Sequence, residues 1–538
     1  MPEEMVLPRK FLRTCRANMR RMKIADTSGT ELTGAALLTR TLILRRLLRR
    51  EVLVEDEKHV GLLMPPSVGA VVSNAALAID RRTAVNLNYT VSADVMNACI
   101  ERCGIRHVLT SRKVMEKLDI EIDAELVFLD DFKSKVTMAD KAIAAAQAWL
   151  MPVGMLERKL GLTEIDPDDV LTVIFTSGST GLPKGVMLSH RNVGANVVAF
   201  SSAVDIRRED VIGGILPLFH SFGYTVTLWS ALTLDPQIVY HFTPLDARQV
   251  GKLCGRYGVT FLIATPTFLR SYTRRCKKED FATLNAVVTG AEKLPGDVAD
   301  AFEKKFGVRP LEGYGTTELS PCVSVNVPAD RAARDNKIPS REGTIGRPLP
   351  GISAKVVDLD TDEDLGTGRS GMLLVTGPNV MQGYLGQPDK TAEVIRDGWY
   401  VTGDVAQIDE DGFIRITGRL SRFSKIGGEM VPHIRVEEEI VRALAVDKDP
   451  NADEDGGMSV IVTGVPDAKK GERLVVLHTG LAVEPRDICA RLRDAGLPPI
   501  WVPAPDGFRQ IEEIPVLGTG KADLKRVKEL ALEEFGSP

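Results

Sequence analysis

The stretch TSGSTGLPKG, Thr176 to Gly185, concentrates hydroxyls, glycines and one lysine in ten residues. Glycines let a backbone come close to a ligand, and hydroxyls with N–H groups can surround phosphate oxygens. Lys184 adds a cation on a flexible stem. The stretch is not a GxxxxGK(S/T) phosphate loop: Gly178 and Gly181 stand in the wrong register, and Lys184 precedes Gly185. That disfavours an ordinary kinase or P-loop ATPase. Further along, GYGTTE (313–318) joins an aromatic, two hydroxyls and a carboxylate. YVTGD (400–404) ends on Asp404, GRLSRFSKIGGE (418–429) carries Arg419 and Lys425, and PVLGTGK (515–521) ends on Lys521. Each has a bland reading alone: a turn, a core tyrosine, an exposed lysine. Their order along one chain gives them weight.

Taken in that order, these motifs resemble the ANL superfamily of adenylate-forming enzymes, from about Phe11 to Leu532. The resemblance implies that a carboxylate attacks the α-phosphorus of ATP, giving an acyl adenylate and pyrophosphate, and that a thiol then displaces AMP. It implies that Thr176, Ser177, Gly178, Ser179, Thr180, Gly181 and Lys184 embrace the β- and γ-phosphates. Tyr314, followed by Gly315 and Thr316, would lie against adenine, with Gly290 and Ala291 opposite. Thr317 would contact the α-phosphate, and Glu318 would hold Mg²⁺, a hard ion suited to a carboxylate. Asp404 would accept from the ribose hydroxyls, and Arg419 would support ribose or phosphates. Lys521 would bridge the substrate carboxylate and the α-phosphate, cancelling charge on both reactants. LPLFHSFG (216–223) matches the family's acyl-pocket segment, with His220 as a positioning gate beside Phe222.

The carboxy-terminal domain of this superfamily rotates between half-reactions, about an Asp or Lys two residues after the motif arginine. Here that pivot is Ser421, a departure that puts the rate and balance of rotation in doubt. Lys425, Gly427 and Gly428 would face the thiol acceptor in the second pose. PPSVG, VNLNYT, CGIRHVLTSR and RFSKIGGEMV further resemble the synthetase half of the bifunctional acyl-ACP synthetase/2-acylglycerophosphoethanolamine acyltransferases. That implies a long-chain fatty acid as substrate and the phosphopantetheine thiol of acyl carrier protein as acceptor. Lysophospholipid acylation by this chain alone is not expected. Arg419, Arg422, Lys425, Lys525, Arg526 and Lys528 would supply a basic dock for the acidic carrier; the competing reading is solvated surface charge. The alternatives are a long-chain acyl-CoA synthetase, an enzyme that forms acyl-AMP without thioesters, and a non-catalytic relative.

Apolar runs alternate with helical patterns and must position these residues. HVGLLMPP (59–66), RHVLTS (106–111), LTVIFTSG (171–178), VTFLIATP (259–266) and LNAVVTGAE (284–292) read as buried strands, and SADVMNACIERCG and AIAAAQAWL as helices. After about residue 340 short strands with glycine turns predict a small antiparallel region. The expected fold is α/β: a large domain over 1–418 of layered, mostly parallel sheets with helices, including a small β subdomain at about 340–418, and a mobile α+β domain over 419–538.

With 538 residues, 44% hydrophobic and 26% charged, more than one core is expected, and a net charge of −5 does not favour nucleic acid. Seven scattered cysteines without CxxC pairs predict a reducing, cytoplasmic setting. Cys99, Cys103 and His107 have metal-like spacing, but Gly104 should end their helix first. HFTPLD (241–246) matches an acyltransferase HxxxxD by coincidence. No apolar run approaches a membrane span of ~20 residues, and the amino terminus lacks a signal-peptide core. RTLILRRLLRR (40–50) has the composition of a helix lying on an anionic membrane, which would make the protein membrane-peripheral. A surface helix with its leucines packed inward is the favoured reading.

Overall fold

The computed structural model describes residues 5–176, 183–332, 338–427, 429–445, 459–467, 469–516 and 522–535. The chain divides into two compact units, 1–354 with 375–400, and 355–374 with 401–538. Each is α/β in character, the first much the larger.

Two sheets organise the larger unit. In the nine-stranded sheet, Leu311–Gly315, Ala286–Thr289, Phe261–Ala264, Val211–Gly214, Gln237–Tyr240 and Met22–Asp26 run parallel in that spatial order. Antiparallel strands close both ends. The strands at 211–214, 261–264 and 286–289 are buried at every residue, which explains their continuous apolar runs. In the seven-stranded sheet, Val170–Thr176, Thr83–Asn86, His59–Leu62, His107–Thr110 and Glu125–Phe128 are parallel. Lys184–Ser189 and Gly383–Tyr384 extend it antiparallel. All five strand expectations in this unit therefore hold, each ending earlier than expected, while the strand at 170–176 begins one residue sooner.

Helix Val68–Ile79 belongs to this unit's core: eleven of its twelve residues are buried. Ser67 caps it, Asp26 Oδ2 accepts from the Val68 N–H at 2.9 Å, and its one buried amide, Asn74, exchanges hydrogen bonds with Asn86. Helix Gly34–Glu51 contains the arginine–leucine segment. Its Leu42, Leu47 and Leu48 are buried, while Arg45 pairs with Asp80, and Arg46 and Arg50 pair with Asp140. The arginines are thus largely committed to intramolecular carboxylates. Helix Ala93–Cys103 ends at Gly104 in the left-handed region, and His107, on the next strand, binds Glu57. Asp246 caps helix Ala247–Tyr257, while His241 Nδ1 bonds Thr27 Oγ1 at 3.0 Å, so the HxxxxD residues serve separate structural roles.

In the smaller unit, strands Glu429–Pro432, Phe423–Ile426, Gly471–His478 and Val460–Asp467 form an antiparallel sheet, with Phe508–Gln510 added parallel to 471–478. Helices His433–Ala445 and Pro485–Asp494 cover one face through Val436, Ile440, Ile488 and Leu492. Helix Leu524–Phe535 covers the other through Val527 and Ala531. Among the described residues no helix is long and apolar enough to cross a membrane.

Candidate active site

Ligands of open α/β sheets collect at the carboxyl ends of parallel strands. Thr176 ends its strand, Gly290 follows Thr289, and Tyr314 and Gly315 close theirs. The strand 311–315 is only partly buried at every position, unlike its neighbours. It meets Cys322–Val325 antiparallel with an irregularity at Tyr314/Gly315. There a Cβ on Gly315 would lie 1.9 Å from the Pro321 carbonyl oxygen, so only glycine fits.

Thr176 and Lys184 are cross-strand partners at the neck of the glycine-rich loop. Ser177, Gly178, Ser179, Thr180 and Gly181 lie outside the described residues. Lys184 Nζ sits 4.7 Å from the centre of the Tyr384 ring, a cation–π distance. The Tyr384 hydroxyl donates to Glu318 Oε1 at 2.9 Å. Lysine, tyrosine and glutamate thus form one connected series. Burial, followed by the Glu318 charge, pushes the Tyr384 phenol far up, so it remains a protonated donor. Tyr400 is raised by burial and then by Glu318, Tyr384 and Tyr314. The buried Thr316 hydroxyl faces Tyr400 without a hydrogen bond of good geometry.

The turn bearing Glu318 is clamped from two sides. On one, Met381 N–H donates to the Glu318 carbonyl at 2.8 Å, Asn379 Nδ2 to the Leu319 carbonyl at 2.9 Å, and Ser320 Oγ to the Asn379 carbonyl at 2.8 Å. On the other, Thr225 Oγ1 donates to the Ser320 carbonyl at 2.8 Å, and Ser221 Oγ lies 3.2 Å from Thr317 Oγ1. Residues 378–381 are themselves gripped by Asn192. It completes a capping box with Ser189 on helix His190–Ala203, and its Nδ2 donates to the carbonyls of Pro378 at 2.9 Å and Val380 at 2.8 Å.

Gly290 presses against Phe222: a Cβ there would meet the ring at 3.1 and 3.3 Å. Ala291 holds φ +71°, a conformation that costs an ordinary residue ~1 kcal/mol or more and concentrates at functional sites. His220 Nδ1 accepts from the Phe222 N–H at 3.3 Å, fixing the ring as a positioned side chain. A π-helical turn, Gly223–Trp229, follows at once; such turns recur near functional sites. The larger unit therefore brings together Thr176, Lys184, Thr316, Thr317 and Glu318, and places Gly290 beside Phe222.

In the smaller unit Asp404 and Arg419 are partners on a β-hairpin. The guanidinium donates to both carboxylate oxygens, at 2.5 and 3.1 Å, with Asp404 buried and Arg419 half-exposed. Ser421 lies in the one-turn helix Leu420–Arg422 that follows. Lys425 donates its backbone N–H to Glu472 Oε2 at 2.8 Å, and Gly427 holds φ +59°. Gly428 and Lys521 lie outside the described residues; Val516 and Ala522, flanking Lys521, pair as an antiparallel bridge. The expected basic dock needs correction. Arg422 is buried against Glu437, Arg419 pairs with Asp404, Lys525 and Arg526 pair with Glu529, and Lys528 pairs with Glu472. Five of the six cations are engaged by nearby carboxylates, two of them within one helix, so they form no uniformly basic face.

Sequence reasoning missed Tyr384, Tyr400 and Ser221. GYLGQPD reads as a turn, and nothing local tells that its tyrosine reaches a glutamate 66 positions earlier.

A profile of the AMP-binding enzyme family matches residues 11–385. The chain belongs to that family. Among curated relatives of this AMP-binding enzyme, the long-chain-fatty-acid–CoA ligase of Bacillus subtilis is 31% identical over 69% of the chain and 63% of the relative. The ligase of the same name from Salmonella typhimurium is 33% identical over 57% of the chain. The match spans only 52% of that relative's length, about half. A feruloyl-CoA synthase from Amycolatopsis is 31% identical over 71% of the chain and 74% of the relative. The crystal structure of ATP-bound MatB from Rhodopseudomonas palustris superposes with a TM-score of 0.79 at 25% identity, covering 98% of this chain and all of that one. The layered α/β architecture with a smaller carboxy-terminal part is the fold of these adenylate-forming enzymes.

Proposed function

We propose that this AMP-binding enzyme activates a long-chain fatty acid with ATP and transfers the acyl group to the thiol of coenzyme A. The observation that carries the reading is the Lys184–Tyr384–Glu318 series at the carboxyl ends of the strands, in a chain of this family. In the first half-reaction a carboxylate oxygen bonds to the α-phosphorus, the α–β bridging bond breaks, and pyrophosphate leaves. Negative charge moves onto pyrophosphate, and Lys184, with the hydroxyls of the loop that it follows in sequence, would stabilise it there. Glu318 fits a hard divalent cation: it offers oxygen donors and is held by Tyr384 and by the clamped turn. Magnesium bound there would neutralise phosphate charge. Thr317 and Ser221 present hydroxyls beside it, and Gly290 with Ala291 and Tyr314 would receive the base. Asp404, oriented by Arg419, would take the ribose, and Lys521 would join the two anions at the moment of attack.

In the second half-reaction the thiolate bonds to the acyl carbon and the C–O bond to AMP breaks. A pivot near 419–421 would let the smaller domain exchange Lys521 for the segment around Lys425 and Gly427. Coenzyme A is preferred to acyl carrier protein on two grounds: the curated relatives are named CoA ligases, and five of the six cations expected to dock a carrier pair with carboxylates. His220 and Phe222 would border the acyl chain.

The test follows thioester by mass, supplying C8 to C18 fatty acids with CoA or acyl carrier protein at matched thiol concentration. CoA should turn over faster, with long chains preferred. Faster turnover of the carrier restores the carrier reading. Fatty-acid-dependent exchange of pyrophosphate into ATP without either thioester points to an enzyme that stops at acyl-AMP, and absence of exchange to a non-catalytic relative.

A further inference from the structure

The helix Met138–Trp149 is built inside out. Its buried side carries Asp140 and Gln147, together with Ala144 and Ala148. Its exposed side carries Met138, Ala139, Ala142, Ile143, Ala146 and Trp149. At 100° per residue these six positions and Leu150 fall within an arc of about 140°. Beyond the helix, Leu150 is 80% exposed on the turn, and Met155 50% in the first turn of helix Val153–Lys159. Met138 is 76% exposed and Trp149 47%, so the apolar face runs from the first turn of one helix into the next.

The exposed charges carried by residues 138–159 have one sign. Residues 138–159 hold two carboxylates, and both are buried in ion pairs: Asp140 with Arg46 and Arg50, Glu157 with Arg9 and Arg13. Lys141, Arg158 and Lys159 are exposed. Each buried carboxylate meets two guanidiniums, and Glu51, which shares Arg50, is met in turn by Lys135, so the surroundings retain positive charge. The turn is also held firmly. The Arg16 guanidinium donates to the Ala148 carbonyl at 2.5 Å and to the Met151 carbonyl, gripping the helix end that presents Trp149 and Leu150.

We propose that this face, centred on Trp149, Leu150 and Met155, docks the protein on an anionic lipid bilayer. A tryptophan beside leucine and methionine suits the boundary between head groups and acyl chains, and flanking lysines and arginines suit anionic head groups. A second copy is a poorer occupant, because pairing identical faces brings like charges together. The proposal relocates membrane contact from the arginine–leucine helix 34–51, whose arginines face Asp80 and Asp140, to the helix that covers it. It does not depend on the substrate reading.

The test is flotation of the full chain with phosphatidylcholine vesicles, with and without phosphatidylglycerol. The chain should float with the anionic vesicles, bind pure phosphatidylcholine weakly, and lose binding as salt rises. Trp149→Ser with Leu150→Ser should lower partitioning roughly tenfold or more. Leu245→Ser, at another exposed leucine, should leave it unchanged. Arg158→Glu with Lys159→Glu should weaken binding to anionic vesicles alone. Brominated acyl chains should quench fluorescence of the parent, and Trp149→Phe should remove that quenching, a readout that survives if the serine variant does not fold. The proposal is overturned by unchanged flotation of the serine variant, equal binding to neutral vesicles, absence of quenching, or a dimer that disappears in the variant while vesicles stay unbound.

Discussion

Tyr384 is a polar relay whose value lies in its hydroxyl. Phenylalanine would keep the ring under Lys184 and remove the donor to Glu318, leaving the packing intact. A hydrogen bond to a charged group contributes ~1.5–3 kcal/mol, equivalent to roughly 10- to 100-fold. Tyr384→Phe should therefore lower the adenylation rate by at least about tenfold, raise the magnesium concentration for half-maximal rate, and leave thermal unfolding nearly unchanged. Pyrophosphate release titrated with magnesium checks it; an unaltered magnesium curve removes Tyr384 from the site. Gly315→Ala acts oppositely, through backbone. With 1.9 Å to the Pro321 oxygen, one strand must shift, and the loss should exceed about 3 kcal/mol in urea unfolding. At this scale the sequence was legible in singling out Lys184, Thr317 and Glu318, residues that the fold brings together. It was mute where a role arises by approach from afar, as with Tyr384 and Ser221.

Elements bring their own consequences. His433 begins the helix His433–Ala445, its Nε2 2.9 Å from Ser424 Oγ on the strand beneath. Burial, with Arg422 and Lys528 adding to it, holds the imidazole at about 3, against an ordinary 6.5. Below pH 6.5 the unfolded chain takes up a proton that the folded form refuses, so this contribution is intact above 6.5 and lost as pH falls toward 3. The slope is at most ~1.4 kcal/mol per pH unit. His433→Gln should flatten the acid side of the stability profile of the smaller unit, read by urea unfolding at a series of pH values; a profile parallel to the parent's overturns it. Gly464, where a Cβ would lie 1.9 Å from Ser424 Oγ, keeps that serine under the histidine. The elements themselves were largely legible, since buried strands read as continuous apolar runs. Helix 138–149 was legible as a helix but not as to facing. An apolar stripe ordinarily turns inward, and only the arginines of helix 34–51 reveal that here Asp140 does so instead.

For the molecule as a whole, the proposed chemistry divides between two lysines in different units. Lys184 stands at the neck of one loop, Thr176 facing it. Lys521 falls in the sequence between Val516 and Ala522, which pair as an antiparallel bridge. If the smaller domain presents Lys521 only for adenylation, Lys521→Ala should cut acyl-AMP formation by roughly 100-fold or more. It should leave thioester formation from supplied acyl-AMP close to the parent rate, with both half-reactions followed separately by mass. Equal loss in both removes the division of labour. The order of motifs along the chain is what suggests this plan. The acceptor was not legible in the same way. Cations read from sequence carry no record of the carboxylates that fold back onto them, as Glu437 does onto Arg422.

Asn192 ties helix 190–203 to the carbonyls of Pro378 and Val380, and so joins the glycine-rich hairpin to the strand that carries Tyr384. An engineer who transplants residues 170–203 into another scaffold would export a lysine without its aromatic seat. The smallest portable cassette must also include 378–385, a segment encoded far downstream, and chimeras cut between the two should assemble yet turn over poorly.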